Sequence, residues 1–122
     1  SSEVKREERV QLDAVKIAQK AAFLPELQCS QENIRQEGCI DLWKLNGAEK
    51  IMNEHKVYYY DVLGYATITI EQVYPKPGKQ WIIYDNARDG YKDKLRTQLP
   101  TLLFDGARKS YAFGVLYVDV YS

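Results

Sequence analysis

Cys29 and Cys39 are the only cysteines in the chain, ten positions apart across the polar stretch Ser30, Gln31, Glu32, Asn33, Gln36, Glu37 and Gly38. An even count flanking a hydrophilic loop fits a disulfide that staples the loop's two ends, and closing a loop of this size restricts the unfolded chain by about 2.5 to 3 kcal/mol. Such a bond implies an oxidising compartment or the cytosol of a hyperthermophile. The other reading, two unrelated reduced thiols, stays open on spacing alone. Zinc fits poorly, because a structural site needs four soft ligands and His55 is the only histidine. No nucleophile motif surrounds either cysteine, so a catalytic pair with His55 is not expected. His55 itself, at the end of a short helical pattern, reads as a solvent-exposed cap residue.

The segment Asp85-Asn86-Ala87-Arg88-Asp89-Gly90-Tyr91-Lys92-Asp93 superficially suggests calcium. Set on an EF-hand loop, Asp85, Asp89 and Gly90 fill positions one, five and six, but Ala87 takes position three and Arg96 replaces the bidentate Glu. The expectation is a polar connecting loop without metal. Among the carboxylates Asp41, Asp61, Asp85 and Asp119, nothing in the pattern brings two into one cleft, so no acid or base is nominated. The glycines are scattered singly and open no helix after a strand, which excludes a phosphate loop or dinucleotide fingerprint. Lys76, Lys79, Lys92, Lys94, Arg96, Arg108 and Lys109 are interleaved with aromatics as on an RNA-binding sheet, yet Asp85, Asp89, Asp93 and Asp105 sit among them. Seventeen Lys plus Arg balance seventeen Asp plus Glu, so no net field draws nucleic acid or an anionic membrane. No nucleic-acid partner, cofactor or metal is expected.

The elements that must position any site follow from period. From Glu3 to Leu24 the apolar residues Val10, Ala14, Ile17, Ala18, Ala21 and Leu24 recur at steps of three and four, predicting a long amphipathic helix that Pro25 stops. Asn46 precedes Glu49 at capping-box spacing, predicting a short second helix over 47–54 held by Leu45 and Met52. Beyond residue 57, Val, Ile, Tyr and Thr dominate and the period becomes two. Strands are expected over Tyr65–Tyr74, Gln80–Asp85, about Leu99–Phe104 and Tyr111–Tyr121, with Pro77-Gly78 turning the first pair. On the last strand Ala112, Gly114, Leu116, Val118 and Val120 share one face, and Tyr111, Phe113, Val115, Tyr117, Asp119 and Tyr121 the other. At 122 residues and 45% hydrophobic content this is one α+β domain over 1–122: helix 3–24, disulfide loop 29–39, short helix 47–54 and sheet 57–121. The sheet is expected to be a four-stranded antiparallel meander under the long helix.

Ten tyrosines are many for this length, and several fall on the expected outer sheet face. There they either pair across strands or supply contact area with little rotamer entropy to lose. The order of an N-terminal helix, a Cys-bearing loop, Gly38-Cys39-Ile40-Asp41-Leu42-Trp43-Lys44-Leu45, a sheet and a closing Gly114-Val115-Leu116-Tyr117-Val118-Asp119-Val120-Tyr121 resembles a group of archaeal proteins of unassigned activity. Those are pilin-like or TadE-like in layout, with one N-terminal membrane helix and a small extracytoplasmic domain. The resemblance implies an upstream membrane span whose helix continues into Glu3–Leu24, with the sheet outside the cell.

No apolar run reaches the roughly 18 to 20 residues that cross a bilayer, and the chain opens at Ser1-Ser2 without Met, so an anchoring segment is expected to have been trimmed. The expected function is that of a non-enzymatic extracytoplasmic domain of a membrane-anchored, pilin-like surface or assembly protein, with protein partners or self-assembly. The alternative is a soluble protein- or carbohydrate-binding module using the Tyr-rich sheet face. The compartment depends on the staple: mass spectrometry of the unreduced, alkylated protein should find neither Cys29 nor Cys39 modified. A Cys29→Ser, Cys39→Ser double variant should unfold in urea with about 2.5 to 3 kcal/mol less stability.

Overall fold

The computed structural model describes residues 2–31 and 34–122. Ser1, and Glu32 and Asn33 of the expected polar loop, lie outside the described residues. The first helix, α1, runs Ser2–Ala22 and buries Ala14, Ala18 and Ala21, the stripe that the three-and-four spacing selects. Alanine along this stripe lets the helix backbone approach the sheet closely. The helix ends two residues short of the expected Leu24. Pro25 disfavours helical backbone at the residue before it, and the last turn tightens, Phe23 N donating to both Gln19 O (3.1 Å) and Lys20 O (3.3 Å).

The stretch expected as a disulfide loop over 29–39 is largely an antiparallel hairpin of β1 (Gln28–Gln31) and β2 (Ile34–Asp41) at the edge of the sheet. Its polar composition reads as loop because an edge hairpin needs no apolar face, so alternation is absent. Cys29 and Cys39 do form a disulfide across it, Cα atoms 5.4 Å apart and each residue 4% exposed.

The second helix, α2, spans Leu42–Glu54 rather than 47–54. Asp41, not Asn46, caps it: the Asp41 carboxylate accepts from Trp43 N (2.9 Å) and Lys44 N (3.3 Å), satisfying two N–H groups that a helix start leaves without partners. Leu45 and Met52 are fully buried, as expected. Asn46 instead accepts a hydrogen bond from Trp81 Nε1 at 3.0 Å. A third helix, α3 (Lys56–Leu63), occupies what was expected to be the start of the sheet at 57. Val57 to Tyr60 have strand propensity, but Tyr59 and Leu63, four apart, are the residues buried, and that contact selects the helix. Gly64 (φ 66°) ends it, donating to Tyr60 O at 2.8 Å from a backbone region that side chains disfavour.

The sheet has six strands in the order β1-β2-β5-β6-β3-β4, where β3 is Ala66–Tyr74, β4 Gln80–Asn86, β5 Lys94–Asp105 and β6 Ser110–Tyr121. It is mixed, because β2 runs parallel to β5, so the four-stranded antiparallel meander is corrected. The correction has a local cause. After the edge strand β4 the chain passes through residues 87–93 to the far side of β3 and β6, and Lys92 N and Asp93 N donate to Ser122 O at 2.9 and 3.0 Å. That tie starts β5 at Lys94, well before the expected Leu99, and lets it pair with β6 over twelve residues, from Lys94↔Tyr121 to Asp105↔Ser110.

All three helices pack on one side, α1 over β5 and β6 and α2 chiefly over β4, around a core that includes Leu27, Ile68, Ile70, Ile83, Tyr84, Leu103, Leu116 and Val118. Tyr84 is buried with its hydroxyl donating to Gly64 O at 2.8 Å, and its burial raises its pKa. Gly114 lies where β6 approaches its neighbours most closely: a Cβ there would stand 2.9 Å from Glu71 O and 2.9 Å from a Leu103 methyl. Gly114→Ala should therefore cost about 1–3 kcal/mol by overpacking, read as a lower urea midpoint with an unchanged m-value.

Candidate functional site

One face of the sheet has no helix on it, and alternation along β6 decides what it carries. Tyr111, Phe113, Val115, Tyr117 and Tyr121 lie there, as the sequence pattern expects. β5 sets Phe104, Leu102, Pro100 and Gln98 beside Tyr111, Phe113, Val115 and Tyr117 respectively. On the other side β3 contributes Thr67, Thr69 and Glu71 and, past a bulge, Tyr74 opposite Phe113. Tyr74 is 62% exposed, Tyr111 56% and Phe113 53%. The rings pack on one another, Phe104 against Tyr111 at 5.1 Å and Tyr74 against Phe113 at 6.0 Å between centroids. Among them lies a shallow hollow of about 340 Å³ lined by Gly38, Val73, Pro100, Leu102, Phe113 and Val115.

The opposite end of this face is polar. Arg96 binds Asp119 with both arms, Nε to Oδ1 at 2.8 Å and Nη2 to Oδ2 at 3.0 Å, and its guanidinium lies 4.8 Å from the Tyr117 ring centre. The hydrogen bonds to Asp119 raise the guanidinium pKa further above its ordinary range. Asp119 is only 4% exposed although it belongs to the outward-facing set, because Arg96 covers it. Beside it Thr67 Oγ1 donates to Asp85 Oδ1 at 2.9 Å and lies 2.7 Å from the Tyr121 hydroxyl, whose ring packs 4.7 Å from Tyr91.

The four carboxylates singled out in the sequence are not brought together. Asp41 caps α2, Asp119 is held by Arg96, Asp85 accepts from Thr67, and Asp61 is exposed on α3. Among the described residues no group of three or more His, Cys, Asp or Glu side chains is arranged to hold a metal. His55 is exposed at the junction of α2 and α3, as expected, and makes no side-chain cap bond. No described helix is long and apolar enough to cross a membrane.

Two features escape sequence reasoning. The bidentate pair of Arg96 and Asp119 joins β5 to β6, and β5 is only partly recognisable from pattern. Trp43 is 83% exposed on the first turn of α2, beside a groove of about 660 Å³ floored by Ala48, Met52 and Tyr59. Glu26 and Lys44 stand at that groove, Lys44 Nζ donating to Gln28 O at 2.7 Å. Burial, with a smaller contribution from Glu26, raises the pKa of Tyr59. The spacing of Leu42, Leu45, Ala48 and Met52 behind Asp41 carries the signal that would have exposed Trp43 as a helix-surface residue.

Comparison with family models, with curated proteins and with solved structures finds no match for this chain. Its site therefore rests on geometry, and the aromatic face, with Tyr74, Tyr111 and Phe113 each more than half exposed, is the candidate. The polar end of that face should behave asymmetrically. Arg96→Ala strands a buried carboxylate and should cost about 1–3 kcal/mol, whereas Asp119→Asn, which keeps a partner for the guanidinium, should cost less in the same denaturation assay.

Proposed function

We propose that the chain is a non-enzymatic extracytoplasmic domain of a membrane-anchored, pilin-like surface or assembly protein, and that it works by presenting its uncovered sheet face to protein. The observation that carries this reading is the face itself. A row of aromatic and aliphatic side chains stands in water on a sheet whose other side is fully used by helices. Exposed apolar patches of this kind mark contact surfaces, and tyrosine suits them because it offers large area at small entropic loss. The buried Cys29–Cys39 disulfide supports an oxidising location. Zero net charge leaves short-range surface complementarity, not long-range attraction, as the means of finding a partner.

Anchoring is tested on the full-length gene product. An apolar span of about 20 residues directly before Ser1 is expected. Fractionated cells should hold the protein in the membrane, and protease added outside intact cells should remove the 122-residue domain. Recovery from the cytosol with both cysteines open to alkylation overturns the reading.

A further inference from the structure

We infer that the cleft between α2, the start of β4 and the β5–β6 turn binds a neutral hexose ring, at a site separate from the aromatic sheet face. β2 and β5 end here and β4 begins here. The parallel register that pairs Asp41 with Phe104 brings Asp41 and Asp105 to the rim of one hollow of about 380 Å³, which Trp43, Asn46, Lys79 and Trp81 also line. That volume lies within the range of about 300–1,000 Å³ of small-molecule sites.

The polar side chains of the hollow are each fixed by structural bonds and keep another atom for a guest. The Asp41 carboxylate uses Oδ1 to accept from Trp43 N and Lys44 N, and its Oδ2 has no partner among the described residues. Asn46 Oδ1 accepts from Trp81 Nε1 at 3.0 Å, which orients the amide and leaves its Nδ2 donor free. Asp105 Oδ1 accepts from Ala107 N (3.0 Å) and Arg108 N (3.2 Å). Its Oδ2 meets only the Arg108 guanidinium, 3.9 Å away and 85% exposed, a contact too open to satisfy it. Groups held in this way lose little freedom when a ligand binds.

Trp43 supplies the apolar wall, with most of its indole in water at 83% exposed. A hexopyranose carries C–H groups on its ring face and hydroxyls around its rim. The face can stack on the electron-rich indole while the rim exchanges hydrogen bonds with carboxylate acceptors and an amide donor. Charge favours a neutral guest. Asp41 and Asp105 are balanced by Lys79 and Arg108, and Lys79 Nζ already stands 5.2 Å from the Trp81 ring centre, where an ammonium guest would sit. An anion would meet two carboxylates. A peptide adding as a strand needs an open edge, and on β4 Asn53 takes up Ile82 O and Asp85 N.

The test is titration of the isotope-labelled 122-residue chain, followed by NMR, with the methyl glycosides of glucose, galactose, mannose and N-acetylglucosamine. At least one should move the Trp43 indole N–H and the Asn46 side-chain amide signals with a Kd of about 1–10 mM, leaving the Tyr111 and Phe113 amides in place. Trp43→Ala should weaken that binding at least about tenfold with an unchanged circular dichroism spectrum, and Trp43→Tyr should keep it within about threefold. Asn46→Asp retains an acceptor for the Trp81 indole but removes the free donor, and should weaken binding about three- to tenfold. No shift with any of the four glycosides up to about 50 mM overturns the inference, as do shifts confined to the sheet face. So does a Trp43→Ala variant that binds as tightly as the unaltered chain, or a response to tetramethylammonium chloride without one to the glycosides.

Discussion

Strand β6 is the constraint on which the rest depends. It pairs with β5 along its whole length and with β3 from Ala66 to Tyr74, so its register sets those of both neighbours. Because side chains alternate, one register places Gly114, Leu116, Val118 and Val120 under the helices and Phe113, Val115 and Tyr117 in water. A slip of one residue would exchange the two sets and put tyrosines into a space that alanine and glycine now fill. Gly114 enforces the choice, since only a residue without Cβ fits between Glu71 O and Leu103. The core and the exposed face are therefore two consequences of a single alignment.

Polar side chains supply the joints between the helices and that sheet. Asp41 starts α2 at the end of β2, Asn46 holds the Trp81 indole, Asn53 reaches the backbone of β4, and Lys44 ties α2 to Gln28. Each satisfies a group that would otherwise lose hydrogen bonding where helix meets strand. The disulfide does the corresponding work on the opposite edge, closing a hairpin too polar to hold itself by apolar burial. Apolar packing thus defines the middle of the domain, and directional bonds define its rim.

The same economy accounts for where the candidate chemical groups are spent. Asp41, Asp85 and Asp119 are each committed to a structural hydrogen bond, and the two cysteines to each other. Among the described residues, exposed apolar area includes the aromatic face and, on the opposite side, Trp43 beside its groove.

Local pattern was enough for α1, whose Ala14, Ala18 and Ala21 stripe is periodic over many turns, and for the two faces of β6 from Phe113 to Val118, where exposure alternates. For the cysteines, an even count around a short polar loop pointed to a pair but left reduced thiols open, and the 5.4 Å Cα separation across the β1–β2 hairpin decides for the bond. Local pattern misplaced α2, where Asp41 outcompetes Asn46 as the cap, and α3, where burial of Tyr59 and Leu63 overrides strand propensity at Val57 to Tyr60. It could not reveal the strand order. Nothing local to β4 or β5 says that the chain between them must cross two strands, or that β2 will lie parallel to β5. Those are set by long-range pairing: a ladder twelve residues long with β6 and backbone bonds from Lys92 and Asp93 to Ser122. Period and composition determined which residues could be inside. Only the tertiary pairing decided which side of the sheet the helices cover, and so which aromatic residues remain in water.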